Sequence, residues 1–308
     1  TQRTGILQFT FPENKTNRIQ IDLARRIGGT SIKQYIKVID DHRIEGWMKY
    51  TPEGGGWGNG KTNLVFYTVY FSAEFSKPFN KHGIWSATIP DNQGRKAQDI
   101  GSDEYQNLII NSEIKTGIKE LEGDHLGFFA EYPDLKEGEQ VLFKAGISFV
   151  DLQGARNNLK TELNHWDFEK VLSDAENAWT KQLDLIKIEG ATEKQKEIFY
   201  TSMYHAQIDP RDFTDVDGRF YLKESGINEA TNYNYRTIFS GWDAFRSHIP
   251  LLTIIDPNLV NDLVNSLIAK GEDGGMGFPK WEIAGCYSNC MLGDPALRLT
   301  ASVCLAAT

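Results

Sequence analysis

Nowhere does the sequence hold a run of the roughly 18 apolar residues that a membrane-spanning helix needs, so no segment is expected to cross a bilayer. A starting methionine and the short apolar core of a leader peptide are missing too. The chain opens TQRTGILQFTF, as expected of a processed or an internal start. Cysteine is scarce: Cys286, Cys290 and Cys304 crowd the C-terminal end. An odd count makes a poor disulfide framework, and one C-x3-C without a second ligand pair is a weak metal signal. Ordinary buried thiols are the reading they favour. Common enzyme signatures are absent as well. There is no G-x-S-x-G, no P-loop, no H-E-x-x-H and no G-x-G-x-x-G set between a strand and a helix. The six histidines, at 42, 82, 125, 165, 205 and 248, have no ligand spacing.

What is present reads as ordinary globular protein. A 40% hydrophobic and 24% charged content can bury sizeable cores, and 308 residues suit two domains of about 150 each. A net charge of −9 with mixed signs argues against nucleic acid or anionic membrane as a partner and suits a neutral polar ligand.

The first half carries strand signals. Residues 65–75 (VFYTVYFSAEF) alternate with period two and end at Lys77-Pro78. Residues 35–48, 83–89 and 140–150 repeat the style, with turn clusters at 51–56 and 90–94 between them. Many strands and few helical periods point to a β-sandwich over 1–165. The period then changes. Phe168, Val171, Leu172, Ala175, Trp179 and Leu183 form a helical stripe, and LIKIEG (185–190) reads as a short extended piece, so 166–190 is expected to link with a helix and a strand. Thr192 and Gln195 are spaced as a capping box. Ser240 and Asp243 are spaced as a cap and its acid, opening a helix expected to reach Ile255. Asp256-Pro257 starts the next helix, expected to stop near Lys270-Gly271. So short a turn makes an αα-hairpin, the unit of an (α/α) toroid, and 191–308 holds only its first members. A half-built toroid is expected to expose the apolar face of 259–268.

Three stretches could carry chemistry. In FSGWDAFRSHIPLL (239–252), Trp242 and Asp243 suit a helix start, and they suit a sugar equally well. An aromatic face covers the apolar C–H patch of a pyranose while a carboxylate accepts from adjacent hydroxyls. The glycine-rich loop 54–60 presents Trp57, which its own loop can bury only poorly; a hairpin-tip latch is the plainer reading. Residues 274–291 supply a second Trp-acid pair, Trp281-Glu282. Asp215-Val-Asp-Gly-Arg219 lacks the spacing and terminal glutamate of a calcium loop and reads as a turn.

Taken in order, GGGWG, VFYTVYFSAEFSKPF, VLFKAGISFVD, TEKQKEIFYTSMYHAQIDPRDFTDVDGRFY, FSGWDAFRSHIPLLTIIDP and FPKWEIAGCYSNCMLGDPA resemble the bacterial α-mannosidases of glycoside hydrolase family 92. The resemblance implies an N-terminal β-sandwich followed by an (α/α)6 toroid, with the active site in the cleft between them. It implies hydrolysis of α-mannosides on N-glycan or mannan chains with inversion, assisted by a calcium ion, outside the cell or in the periplasm. By that resemblance Trp57 reaches the cleft and Trp242 with Asp243 grip mannose. Arg246 braces Asp243, and Trp281, Glu282, Asn289 and Cys290 line the same pocket. An inverting mechanism needs two carboxyl groups about 6.5–9.5 Å apart. The family's acid, base and calcium ligands lie in motifs resembling E-Y-A-Y-D-D, H-E-G-N and G-N-D-D, none of which occurs here. The ending LRLTASVCLAAT also departs from the family's A-D-A-Y-x-K-G, as a truncation or shifted frame would. The chain by itself is therefore expected to be inactive. An inverting glycoside phosphorylase of similar architecture and a non-catalytic carbohydrate-binding fragment are the competing readings.

Overall fold

The computed structural model describes residues 2–13, 16–24, 30–51, 67–87, 103, 107, 110–237, 239–274, 277–283, 286–287, 291, 293–297 and 300. Trp57, Asn289 and Cys290 lie outside the described residues. The chain divides into two compact units, Thr1–Phe168 with Asp215–Asp217, and Glu169–Thr214 with Gly218–Thr308.

In the first unit β1 (Thr4–Thr10) and β2 (Arg18–Asp22) precede a hairpin of β3 (Thr30–Val38) and β4 (Arg43–Thr51). Then come β5 (Tyr67–Phe75), β6 (Lys81–Ser86), β7 (Glu113–Thr116), β8 (Glu120–Gly123), β9 (Gly127–Glu131), β10 (Gln140–Ser148) and the helix α1 (Leu152–Glu162). The strands form two sheets, β1-β10-β5-β4-β3-β8 and β2-β9-β6-β7. One core lies between them. The larger sheet contributes Ile36, Ile44, Phe71, Phe75 and Val141; the smaller contributes Ile19, Ile84, Phe128 and Ala130. Period-two alternation turns one side of each strand to this core and the other outward, which makes a β-sandwich.

Residues 35–48, continuous in strand character, contain a turn. Asp40 causes it: its carboxylate accepts from the His42 amide at 3.0 Å and from Arg43 Nε at 2.8 Å, an Asx-type arrangement that reverses the chain. Asp151 caps α1, accepting from the Gly154 amide at 2.6 Å. Beside the cap, Asp215 is buried. It accepts from Ser148 Oγ and from Asn158 Nδ2, both at 2.7 Å, while Asn158 Oδ1 takes the Val216 amide at 2.9 Å. Residues 216–217 are then a turn leading into a hairpin, as the sequence suggests. A side chain at Gly154 would put its Cβ 2.0 Å from the Asp215 carboxylate, so close approach requires glycine there.

The second unit opens with α2 (Phe168–Leu183) and α3 (Glu193–Ala206), the latter begun by the Thr192–Gln195 capping box. Between them LIKIEG forms no strand, since no neighbouring strand offers it a ladder of hydrogen bonds. Short strands follow: β11 (Arg211–Asp212), β12 (Arg219–Leu222), β13 (Gly226–Glu229), β14 (Arg236–Thr237) and β15 (Phe239–Ser240). The helix expected over 240–255 is broken into α4 (Gly241–Ala244) and α5 (His248–Ile255). Pro250 explains the break: it has no N–H for the Arg246 carbonyl, and its ring crowds that group. The next helix, α6 (Pro257–Gly274), is capped by Asp256, whose Oδ1 accepts from the Leu259 amide at 3.1 Å. It runs past Gly271, where the expectation ended it; Phe278 packs beside that glycine, 3.4 Å from where a Cβ would stand. Then come β16 (Trp281–Ile283) and β17 (Cys286–Tyr287).

Helices α5 and α6 form the αα-hairpin, burying Ile249 and Leu252 against Val260, Leu263 and Leu267. Each such side chain contributes about 1.5–3 kcal/mol. The apolar face of 259–268 is thus largely covered, contrary to expectation. Exposed apolar groups lie mostly elsewhere: α2 buries no residue, and Leu172, Trp179, Ile198 and Ile254 are exposed.

His125 gives the first unit a pH dependence. It is buried, and burial, opposed by the nearby Asp124 charge, lowers its pKa to about 4. The folded pKa lies below the unfolded value near 6.5, so this stability is complete above that value and is lost as pH falls toward 4. His125→Asn, which tolerates the positive φ of 49° there, is expected to remove up to about 3 kcal/mol of the acid-side loss. Urea unfolding midpoints at pH 7 and 4.5 check it; equal losses in both proteins would contradict it.

Candidate functional site

Strand pairing brings the two Trp-acid pairs together. Ser240 of β15 stands opposite Trp281 of β16, and the Gly241 amide donates to the Lys280 carbonyl at 3.1 Å. The 37 residues separating the pairs in sequence (244–280) are thereby bridged by neighbouring strands.

The pairs differ in environment. Trp242 is 44% exposed, and Asp243 and Arg246 are exposed beside it. Ser240 was expected to cap the helix, but its hydroxyl donates to Asp243 Oδ2 at 2.6 Å instead. The other carboxylate oxygen keeps its lone pairs. Arg246 does not brace that carboxylate: its guanidinium lies 5.6 Å from the centre of the Trp242 ring and 5.2 Å from that of Phe245. With Ser240 already on the carboxylate, the cation settles on the aromatic faces. The result is an exposed patch of one indole, one carboxylate and one guanidinium. It can cover an apolar sugar face, accept from hydroxyls and donate to an oxygen.

Glu282, expected on sequence to face a sugar, lies inside the fold at 1% exposure. Its Oε2 accepts from Thr237 Oγ1 at 2.7 Å, and its Oε1 lies 3.1 Å from Lys270 Nζ. Trp281, its neighbour on the strand, is half-buried. Lys270 also donates to the Arg236 carbonyl and stands 4.7 Å from the Tyr235 ring centre. Burial pulls the Lys270 ammonium below the ordinary lysine value, and Glu282 acts in the opposite direction. So enclosed an ion pair orders strands; it is not placed to pass protons to a ligand.

These partners were missed in the sequence, although one signal was there. Asp262, Ser266 and Lys270 recur every four residues along the apolar α6. All three reach the same strand. Asp262 holds the Arg236 guanidinium at 3.0 Å, Ser266 Oγ accepts the Arg236 amide at 2.8 Å, and Lys270 takes its carbonyl.

Comparison with known proteins decides the lineage. The Glycosyl hydrolase family 92 N-terminal domain matches residues 1–148, and the family's catalytic domain matches 154–307. The chain belongs to glycoside hydrolase family 92. Among solved members of the family, the alpha-mannosidase BT3965 from Bacteroides thetaiotaomicron is 30% identical, at a TM-score of 0.78 over 96% of this chain. Its complex with mannoimidazole aligns over 99% at 29% identity and a TM-score of 0.81. The inverting mannosidase BT2199 of the same organism shares the fold at 20% identity and a TM-score of 0.78. This chain spans 36% of the length of each. A protein of Arthroderma benhamiae described as an uncharacterized secreted glycosidase is 34% identical over 89 residues, 28% of this chain and 12% of its own length.

The buried pair yields a stability test. Lys270→Met, which strands the Glu282 charge, is expected to cost about 3–5 kcal/mol. Lys270→Met with Glu282→Leu should recover most of it. Thermal unfolding of the two variants measures this, and a double variant no better than the single would show the pair is worth keeping for its own energy.

Proposed function

We propose that the chain is the sandwich and opening helical part of an inverting α-mannosidase, and that the Trp242–Asp243–Arg246 patch binds the hydroxyls and ring face of a terminal mannose. The observation that carries this reading is the exposed pairing of Trp242 with Asp243, in a family 92 chain similar to a mannosidase bound to mannoimidazole. Trp242 supplies the face, Asp243 accepts from two hydroxyls, and Arg246 steadies the indole while offering a donor. Trp281 stands next to this patch through its strand. Glu282 acts beneath it as a brace. Trp57, Asn289 and Cys290 belong to the same reading as further sugar contacts implied by the family.

Calcium is part of the reading, although its ligands belong to motifs this sequence does not contain. Among the described residues no group of three His, Cys, Asp or Glu side chains converges to hold a metal, so no step is routed through the ion. Acid and base are likewise sought in the family's later motifs. A mannose-containing oligosaccharide is the proposed partner and secretion the proposed destination, in keeping with the secreted relative. No helix of the described residues is long and apolar enough to cross a membrane.

Two outcomes follow. The 308-residue chain should release no mannose from α-linked mannobioses with or without calcium; calcium-dependent release would overturn its inactivity, and phosphate-dependent turnover would favour a phosphorylase. Trp242→Ala and Asp243→Ala should each weaken mannose binding by roughly 10–100-fold, the loss of about 1.4–2.8 kcal/mol. Unchanged affinity in both would remove the patch from the site.

A further inference from the structure

At the head of α4 a serine leaves the work that its position usually carries. A serine hydroxyl at a helix start ordinarily accepts from a backbone amide of the first turn. Ser240 makes no such cap. Its hydroxyl donates to Asp243 Oδ2 at 2.6 Å instead, a length typical of charge-assisted bonds from a hydroxyl to a carboxylate. Among the described residues no other hydrogen bond or ion pair reaches that carboxylate. Arg246 lies on the rings of Trp242 and Phe245.

Asp243 gains definition from this partner. The terminal torsion of an aspartate is broad and roughly two-fold, and this side chain is exposed. Left alone, either oxygen would face solvent over a range of angles. With Oδ2 tied, Oδ1 is the oxygen left for a ligand, in the same patch as the 44% exposed Trp242. The tie is anchored in turn. Ser240 stands opposite Trp281 across the β15–β16 ladder, and the Gly241 amide donates to the Lys280 carbonyl at 3.1 Å. Glu282, next along β16, is held by Thr237 and Lys270. A carboxylate held from so fixed a backbone meets a ligand with less ordering left to do.

The same bond removes a donor from the surface. A serine hydroxyl has one hydrogen to give, and an ionised carboxylate has none. With that hydrogen committed to Asp243, the Ser240–Asp243 edge of the patch offers acceptors only, while Arg246 offers donors only.

We propose that Ser240 is a positioning residue of the sugar patch, holding Asp243 so that Oδ1 faces the ligand and leaving that edge able to read hydroxyls solely as donors. The proposal rests on the mannose reading of the patch, and the measurements below keep the two apart.

Calorimetric titration with methyl α-mannoside compares the unmodified chain with its variants. Ser240→Ala should weaken binding about fivefold, the worth of one hydrogen bond, at an unchanged melting temperature. Ser240→Thr keeps the hydroxyl and suits a strand, and it should stay within about twofold of the unmodified chain. In an Asp243→Ala background, Ser240→Ala should change affinity by less than about twofold, because the serine acts through that carboxylate. Deoxy and deoxyfluoro forms of the mannoside test the acceptor-only edge. At any position whose loss the unmodified chain feels and Asp243→Ala does not, fluorine, which cannot donate, should bind no better than hydrogen.

If Asp243→Ala weakens binding and Ser240→Ala does not, the proposal is overturned and the patch stands. A Ser240→Ala loss that persists undiminished in the Asp243→Ala background, or that Ser240→Thr shares, overturns it equally. A fluoro form that outbinds its deoxy counterpart at an Asp243-dependent position places a donor there and removes the acceptor-only edge. Indifference to Asp243→Ala itself, or no binding by the unmodified chain, sinks the mannose reading and this proposal with it.

Discussion

A lysine and a glutamate buried together constrain the short strands of the second unit. Charges taken from water must be met completely, because one left over costs several kcal/mol. Lys270 therefore collects Glu282, the Arg236 carbonyl and the Tyr235 ring, while Glu282 also collects Thr237. Tyr235, Arg236 and Thr237 are consecutive at β14, and Glu282 lies on β16. None of these two- and three-residue strands could hold a position through its own ladder. Their register is fixed by the need to satisfy one ion pair, and β15 inherits it by pairing with β16. Trp242 and Asp243 follow β15 directly, so the exposed patch is aimed by a charge it never touches.

The sandwich solves its constraints in another currency. Its core is a single interleaved layer of Ile, Phe and Val from two sheets, where shape rather than charge sets the register. One corner is held by polar groups instead. There Asp215 accepts from Ser148 and Asn158, and Asn158 in turn accepts the Val216 amide. That corner explains why residues 215–217 group with the first unit although the chain on either side belongs to the second. A carboxylate with two short neutral donors is a strong local anchor, and the absence of a side chain at Gly154 makes room for it.

How much of this was legible follows from the range of each interaction. Local signals were readable. The Thr192–Gln195 capping box, the αα-hairpin at Asp256-Pro257 and the alternating strands rest on residues within a few positions of one another, and they form as the spacing predicts. The break at Pro250 was equally local but was outweighed in the reading by the apolar run around it. Long-range pairings left fainter marks. Nothing near Glu282 announces Lys270, and only the four-residue recurrence along α6 hints that this helix serves a polar partner as well as α5. Trp242 and Asp243 were visible as types suited to a sugar. That Arg246 would lie over the rings depended on Ser240, whose hydroxyl is the group on the Asp243 carboxylate.

The two tryptophans tell the same story from opposite sides. Trp242 is exposed with its neighbours satisfied; Trp85 is buried with its N–H unsatisfied. A fold keeps an exposed indole at little cost, since only apolar area is lost to water. Keeping an orphaned buried donor is costlier, and keeping two glycines beneath two rings adds the conformational entropy of glycine in strands. The glycines, Gly127 and Gly83, are compensated locally, because the rings of Trp85 and Phe129 pack over them and are buried in doing so. Glu282 is the opposite case to the Trp85 N–H: a polar group withdrawn from water whose partners, Lys270 and Thr237, the protein itself supplies.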